Sequence, residues 1–348
     1  MHDDLDAVAR SFIRFADEEL REYAPFYDRL TRTLAVDPGA MAIARQGRSG
    51  QAPANLLLAA IHYLLLQGVR HPLAAWYPGI GETTGAGDLA AAARSFCREY
   101  GPQLTTVVST RLVQTNEVSR SAFLLPAFTH IWQTNGERPL ALIEVGASAG
   151  LNLLFDHYAY DYGSKLRWGD PGAPLLINCE VHGETLPPLP LDPLPVASRL
   201  GIDLNPIYAN DADETLWLRA LVWPEHPERA RQLDRALDVA RRFPVPLVRG
   251  DALEALPNTV ATVPRNQTLC VFHSNVLAHF PPPARQRFHE LVKELGQGRN
   301  YFLLYSQGVR RPGEELFFEL RLRRYLRGAE SETVLAAHHP HGAWIAWY

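Results

Sequence analysis

The chain is short of cysteine, of long apolar runs and of basic charge, and each shortage removes a class of function. Cys97, Cys179 and Cys270 are odd in number and far apart, and no C-x-x-C occurs. That argues against a disulfide framework or a zinc knuckle and points to buried thiols in a reducing compartment. The longest apolar run, "LLLAAIHYLLL" from Leu56 to Leu66, is shorter than the ~20 residues needed to span a bilayer, so it reads as a core helix. The amino terminus, "MHDDLDAVARSF", is acidic and lacks the apolar stretch of a signal peptide. A cytoplasmic protein without membrane contact is expected. With a net charge of −4, no global basic field invites nucleic acid.

The 348 residues are 47% hydrophobic, enough for about two domains with real cores. The first third has helical spacing: Leu5, Val8, Phe12 and Phe15 share a face, and Pro53 opens the apolar segment 54–67. Residues 87–100 are rich in alanine, and "SRSAFLLPAFTHIW" predicts a helix with Ser119 as N-cap and a kink at Pro126. No period-two segment precedes residue 139, so residues 1–135 are expected to form an all-helical domain.

From "RPLALIEVGASAG" onward, short apolar runs alternate with helical patterns, which predicts a parallel α/β sheet over 136–348. The runs are 140–145, a weaker one ending in "GIDL" (201–204), 246–252, 268–274 and 301–306. Helices are expected around Ala230, Leu233, Leu237 and Ala240, and around Phe288, Leu291, Val292 and Leu295 with Gly296 as C-cap. Alternation at Phe318, Leu320 and Leu322, then "TVLAA" and "AWIAWY" flanking "HHPHG", predicts antiparallel strands at the end of the sheet. A Pro-rich stretch around 183–200 interrupts the pattern as a loop insertion or lid.

"IEVGASAGLN" (143–152) supports two readings. As G-x-S-x-G it is a nucleophile elbow presenting Ser148, with Asp251 and the histidines at 338, 339 and 341 as downstream partners. As a nucleotide-binding turn it needs Gly146 and Gly150 for close backbone approach, followed by a helix whose first N–H groups are free. Asp203 at the end of the second strand then suits ribose hydroxyls, and Asp251 with Ala252 at the end of the third suits an adenine amine. The hydrolase reading lacks an upstream H-G-G-like loop, and its strand is the first of the sheet. Asp203 lies much further from Glu144 than the ~20 residues of dinucleotide folds, so Glu180 competes for the ribose role.

This set resembles the class I S-adenosylmethionine-dependent methyltransferase fold, a Rossmann-like parallel sheet with C-terminal antiparallel strands. Glu144, Gly146, Ser148 and Gly150 match its acid-and-glycine loop, with Ser148 in place of the middle glycine. The resemblance implies S-adenosylmethionine as cofactor, held by Glu144, Gly146, Ala147, Ser148, Gly150, Asn152, Asp203, Asp251 and Ala252. "EVGASAGLNLLFDHYAYDYG", "QTNEVSRSAFLLPAF" and "HPHGAWIAW" are similar, over nearly the whole chain, to an uncharacterised bacterial family, domain of unknown function 2332. That family implies fold and boundaries but no reaction.

Other residues carry candidate chemistry. His273, Ser274 and Asn275 follow the fourth strand, where His273 is either a general base or a hydrogen-bonded strand cap. "FHSNV" departs from the Asn-Pro-Pro-aromatic motif of enzymes that methylate amino groups of bases or glutamine. Asn116, Glu117 and Arg120 are either acceptor-binding or a helix cap with a surface ion pair. Trp168 and Asp170 stand in an exposed "WGDP" turn and are candidate substrate contacts. His338, His339 and His341 have no cysteine or acid at ligand spacing, so no metal is expected. The expected function is methyl transfer to an O or N atom of a small-molecule substrate. The alternatives are a serine hydrolase using Ser148 and a nucleotide-binding module without catalysis.

Overall fold

The computed structural model describes residues 2–80, 85, 87–114, 116–163, 166–310 and 317–348. It divides into two compact units, Met1–Thr115 with Asp211–Asp234, and Asn116–Asn210 with Arg235–Tyr348.

The first unit is helical. It contains α1 (His2–Phe15), α2 (Pro25–Ala35), α3 (Pro38–Ala44), α4 (Pro53–Leu66), α5 (Leu89–Glu99) and α6 (Gly101–Thr110). Its core is built on α4, where Leu56, Leu57, Leu58, Ala60 and Ile61 are buried on every side of the helix. Proline at the first position of α2, α3 and α4 costs no hydrogen bond there and sets the starting φ. A segment remote in sequence, Ala212–Leu221, completes this unit. The His62 ring shares a hydrogen bond with the Ala220 carbonyl (3.0 Å), and Trp217 Nε1 donates to the Leu112 carbonyl (2.9 Å). Arg111 binds Glu214 at 2.7 Å and also pairs with Asp213.

The second unit begins with α7 (Ser121–Thr134), which runs through Pro126 without interruption. The side chain of Glu117, not Ser119, accepts an N–H at the short turn Val118–Arg120 that precedes it. Strands β1 (Leu140–Val145), β2 (Ala159–Asp161), β3 (Arg167–Trp168), β4 (Leu176–Asn178), β5 (Glu180–Val181) and β6 (Val196–Asp203) follow. After α8 (Ala212–Leu221) and α9 (Pro227–Arg242), the sheet resumes with β7 (Leu247–Arg249), α10 (Ala252–Thr262) and β8 (Thr268–Ser274). Then come α11 (Pro282–Gly298), β9 (Tyr301–Val309), β10 (Phe317–Leu326), β11 (Ala329–His338) and β12 (Trp344–Trp347).

The main sheet has nine strands in the order β5-β12-β11-β10-β9-β8-β1-β6-β7. From β7 to β9 the neighbours are parallel, and β9 to β12 form an antiparallel meander. The five parallel strands follow the Rossmann sequence 3-2-1-4-5, whose direction reverses between β1 and β8. This is the mixed α/β sheet preceded by a helical region that the apolar pattern predicts. A small sheet, β3-β2-β4, and the loop of the Pro-rich stretch before Val196 fill the connection between β1 and β6. No helix among the described residues is long and apolar enough to cross a membrane.

Three local details differ from the sequence expectation. The element after β1 is a seven-residue 3-10 segment, Leu151–His157, kinked at Leu154, and not an α-helix. Helix α11 continues through Gly296 to Gly298; a Cβ on Gly296 would lie 2.4 Å from the Tyr325 ring, so the glycine serves close packing and not a C-cap. Helix α7 belongs to the sheet unit, because Tyr162 donates to the Ala122 carbonyl (2.7 Å) and Phe128 packs on Phe155 and Phe272.

Period-two alternation separates the faces of β1 and β8. Ile143, Val145 and Val271 join Leu256, Phe288 and Leu291 in one apolar core. Glu144 and Phe272 are register partners and face the other way, toward α7.

Trp217→Ala should destabilise the helical unit by about 3–5 kcal/mol, because it leaves a large cavity and an unpaired carbonyl. Urea unfolding measures this, and a change below about 1 kcal/mol would mean that α8 is not integral to that core.

Candidate functional site

Strand β1 ends in a loop with three consecutive left-handed positions at every second residue: Gly146 (φ 77°), Ser148 (φ 50°) and Gly150 (φ 69°). Gly146 is required sterically as well, since a Cβ there would lie 2.5 Å from Val276 Cγ2. The loop is held by its own amides. Gly146 N and Ala147 N donate to the Ile202 carbonyl (2.8 and 3.3 Å), Gly150 N donates to the Ala147 carbonyl (2.7 Å), and Ser148 N donates to Asp203 Oδ2 (2.8 Å). Asp203 Oδ1 accepts the Asn205 N–H (2.7 Å). These four amides are engaged, and the segment that follows is a kinked 3-10 turn and not an α-helix, so the loop lacks the helix dipole that helps to bind pyrophosphate.

A cavity of about 160 Å³ opens beside this loop, lined among others by Gly146, Asp203, Leu204, Asp251, Ala252 and Val276. Asp251 caps α10 through Oδ1, which accepts the Leu253 N–H (2.8 Å). Both acids retain lone pairs for further donors, since a carboxylate has about four acceptor sites. Glu180, the competing acid, lies on β5 at the far edge of the sheet, with its carboxylate 3.5 Å from His182.

On the α7 face, a buried polar cluster gathers four motifs that are remote in sequence. Glu144 is 2% exposed. Its carboxyl is pushed up to about 8, chiefly by burial, against the Asn152 hydrogen bond; the Asp203 charge raises it further and Arg120 opposes the shift. Glu144 Oε1 accepts from Asn152 Nδ2 (3.3 Å), and Oε2 has no partner. Ser121 Oγ donates to Asn152 Oδ1 (3.2 Å). The buried Arg120 donates from Nε to the Pro340 carbonyl (3.0 Å) and from Nη1 to Ser274 Oγ (3.2 Å).

Ser306, the register partner of Ser274, extends the cluster. His338 Nδ1 lies 2.9 Å from the His339 carbonyl, which fixes it as the protonated nitrogen. Nε2 is then the acceptor for Ser306 Oγ–H at 2.9 Å. Burial holds this imidazole down at about 4, so it is neutral at pH 7, and its ring lies 3.9 Å from that of Phe123. Gly342 (φ 74°) brings the "HHPHG" turn against the Ser119–Arg120 backbone; a Cβ on it would lie 2.1 Å from the Ser119 oxygen.

The remaining candidates are placed as follows. The Ser148 hydroxyl is buried without a hydrogen-bond partner, so no histidine is within its reach. His273 points to the face opposite Ser274, stacked on Tyr305 and edge-on to Phe288, and burial lowers it to about 3. Asn275 takes a left-handed turn (φ 63°) that ends β8. Glu117 Oε1 accepts the Ser119 N–H (3.4 Å), and Asn116 Nδ2 is buried without a partner. Trp168 donates to the Pro190 carbonyl (2.8 Å) and so ties down the Pro-rich loop, whereas Asp170 only closes its own turn on Gly172 N (2.8 Å). Among the described residues no group of three His, Cys, Asp or Glu is placed to hold a metal. Sequence reasoning missed Ser121 and Ser306, which carry no motif signal, and it considered His338 as a hydrolase partner of Ser148 or a metal ligand, not as the acceptor for Ser306.

The Glu144 carboxyl has a signed consequence. The unfolded chain releases this proton near 4.5, whereas the folded chain keeps it to about 8. Between those values the native state binds more protons, so this group makes stability fall as pH rises. His62, His273 and His338, held near 4, 3 and 4 by burial, act at lower pH: stability is lost as pH falls below 6.5, because the unfolded chain then takes up protons that the folded one refuses. Glu144→Gln should therefore remove the alkaline loss, gaining about 2–4 kcal/mol over the parent at pH 8 and little at pH 5. Urea unfolding at both pH values tests this; identical pH profiles would contradict it. Gly342→Ala should lower stability by about 2 kcal/mol or more through strain and overpacking, read as a drop in the thermal midpoint.

Comparison with curated proteins and with solved structures gives no match. A family model does match, from residue 9 to residue 347. The motifs that meet around Glu144 all fall within that span, and the chain belongs to the family described as uncharacterized protein conserved in bacteria (DUF2332).

Proposed function

We propose that this chain is an S-adenosylmethionine-dependent methyltransferase acting on an O or N atom of a small molecule. The observation that carries the reading is the convergence of Gly146, Asp203, Asp251 and Ala252 on one cavity at the point where the sheet reverses direction. Asp203 would accept from ribose hydroxyls, and Asp251 from the adenine amine. At about 160 Å³ the cavity is below the ~300–1,000 Å³ of whole-cofactor sites, so it suits the nucleoside portion alone. The engaged loop amides favour a cofactor without a pyrophosphate. Bound S-adenosylmethionine supplies an electrophilic methyl group on a cationic sulfonium.

The chain's own residues would position the acceptor and take its proton. Arg120 and Ser274 supply a cation and a hydroxyl on the α7 face. Ser306, with its hydroxyl on neutral His338, forms a route by which a proton can leave an acceptor bound to Ser306. Glu144, uncharged when buried alone, is the group whose ionisation a nearby cation favours. Ser148 without a histidine gives the hydrolase alternative no support.

Calorimetry should detect S-adenosylmethionine, and Asp203→Ala or Asp251→Ala should weaken it about ten-fold or more. Repeated near pH 7 in buffers of different ionisation heat, binding should release close to one proton, absent in Glu144→Gln. The uncharged thioether product S-adenosylhomocysteine should release almost none. No binding of either compound would overturn the reading, and binding without turnover of any acceptor would make the chain a nucleotide-binding module.

A further inference from the structure

A second cavity, of about 420 Å³, opens at the amino-terminal edge of the sheet. It lies where β1, β8 and β9 begin, beside the end of α11 and the β10–β11 turn. Arg138, Arg265, Arg299 and Arg327 line it, with Gln267 and Asn300, and no carboxylate does.

Two of these guanidinium groups have partial structural employment. Arg299 Nη1 donates to the Val260 and Val263 carbonyls (2.9 and 2.8 Å) at the end of α10, and Arg265 Nη2 donates to the Gly298 carbonyl (3.2 Å) at the end of α11. Cations suit helix carboxyl ends, which accounts for that pair. It does not account for Arg138 and Arg327, whose side chains have no hydrogen bond or ion pair among the described residues. Nor does it use Arg299 Nε, which is buried without an acceptor, or Gln267 Oε1, which is buried without a donor. Burial and the repulsion of Arg265 together lower the Arg299 pKa, as expected for cations crowded without a counter-charge.

We propose that this cavity binds a phosphate-bearing small molecule, its phosphoryl or pyrophosphoryl oxygens held by Arg138, Arg327 and the free N–H groups of Arg265 and Arg299. Guanidinium forks match phosphate oxygens in pairs, and the Gln267 oxygen can accept from a ligand hydroxyl. The volume falls within the ~300–1,000 Å³ range of small-molecule sites. With a net charge of −4, the chain as a whole is not a polyanion-binding surface, which favours a compact ligand over a nucleic acid. The site is independent of the methyltransferase reading, since the Gly146 loop lies at the opposite ends of the same strands.

The test is calorimetric titration of the full chain with inorganic pyrophosphate, inorganic phosphate, sulfate and a single-stranded oligonucleotide, repeated on Arg138→Gln/Arg327→Gln. The expected result is pyrophosphate binding tighter than phosphate or sulfate, weakened about ten-fold or more in the variant. The ligand-free variant should melt with the parent, because neither exposed side chain has a partner to lose. Three results would overturn the proposal: no pyrophosphate binding, equal weak binding of all three inorganic anions (an adventitious ion only), or an oligonucleotide that binds more tightly than pyrophosphate.

Discussion

A carboxyl group held almost completely out of water at the end of the central strand sets the terms for its surroundings. Glu144 stays uncharged near neutral pH because burial outweighs the help of Asn152 and Arg120. Keeping it there requires a hydrogen-bonding neighbour from the next segment, Asn152, and a second from α7, Ser121, which orients that neighbour. It also requires a loop compact enough to exclude solvent. Gly146 and Gly150 make that loop possible by admitting left-handed turns, and Asp203 closes it by accepting the Ser148 amide. A buried polar network of this kind is costly when incomplete, so its members hold one another in register.

The two faces of the sheet carry different work. On the α10–α11 side, Ile143, Val145 and Val271 belong to an apolar core, and His273 is absorbed into its edge as a neutral ring among aromatics. On the α7 side the same strands present Glu144, Ser274 and Ser306, answered by Arg120 and His338. A shift of one residue exchanges the two faces. That is why adjacent residues of "FHSN" have opposite fates, His273 in the core and Ser274 in the polar cluster.

Much of the organisation was legible because it rests on local periodicity. The five parallel strands, helices α9 and α11, the antiparallel end of the sheet and the glycine-bearing turn follow from apolar spacing and from residues that tolerate unusual φ, whereas the short strands β2–β5 and helices α8 and α10 were not read. The acids at strand ends, Asp203 and Asp251, were also legible, since position at a strand end is a one-dimensional property. What escaped was whatever depends on two remote segments meeting. Ala212–Leu221 drew no expectation from the sequence, and burial of Trp217 against the Leu112 carbonyl ties it to the helical unit. Gly296 has the composition of a helix stop, but the ring of Tyr325, from another strand, explains its presence. Trp168 and Asp170 were conspicuous by type, yet the first bonds the Pro190 carbonyl of the Pro-rich loop and the second its own turn.

The sequence alone determined that Glu144 lies near the end of a strand, just before a tight turn at Gly146, because apolar spacing and glycine placement are local constraints on the backbone. It could not determine what would face that carboxyl. Arg120, Ser274, Ser306 and His338 come from segments far apart in the chain, and only the sheet order and the docking of α7 bring them together. The physical reason is that periodicity records which way a side chain points. The charge and hydrogen-bonding state of a buried group depend instead on whatever tertiary packing places opposite it.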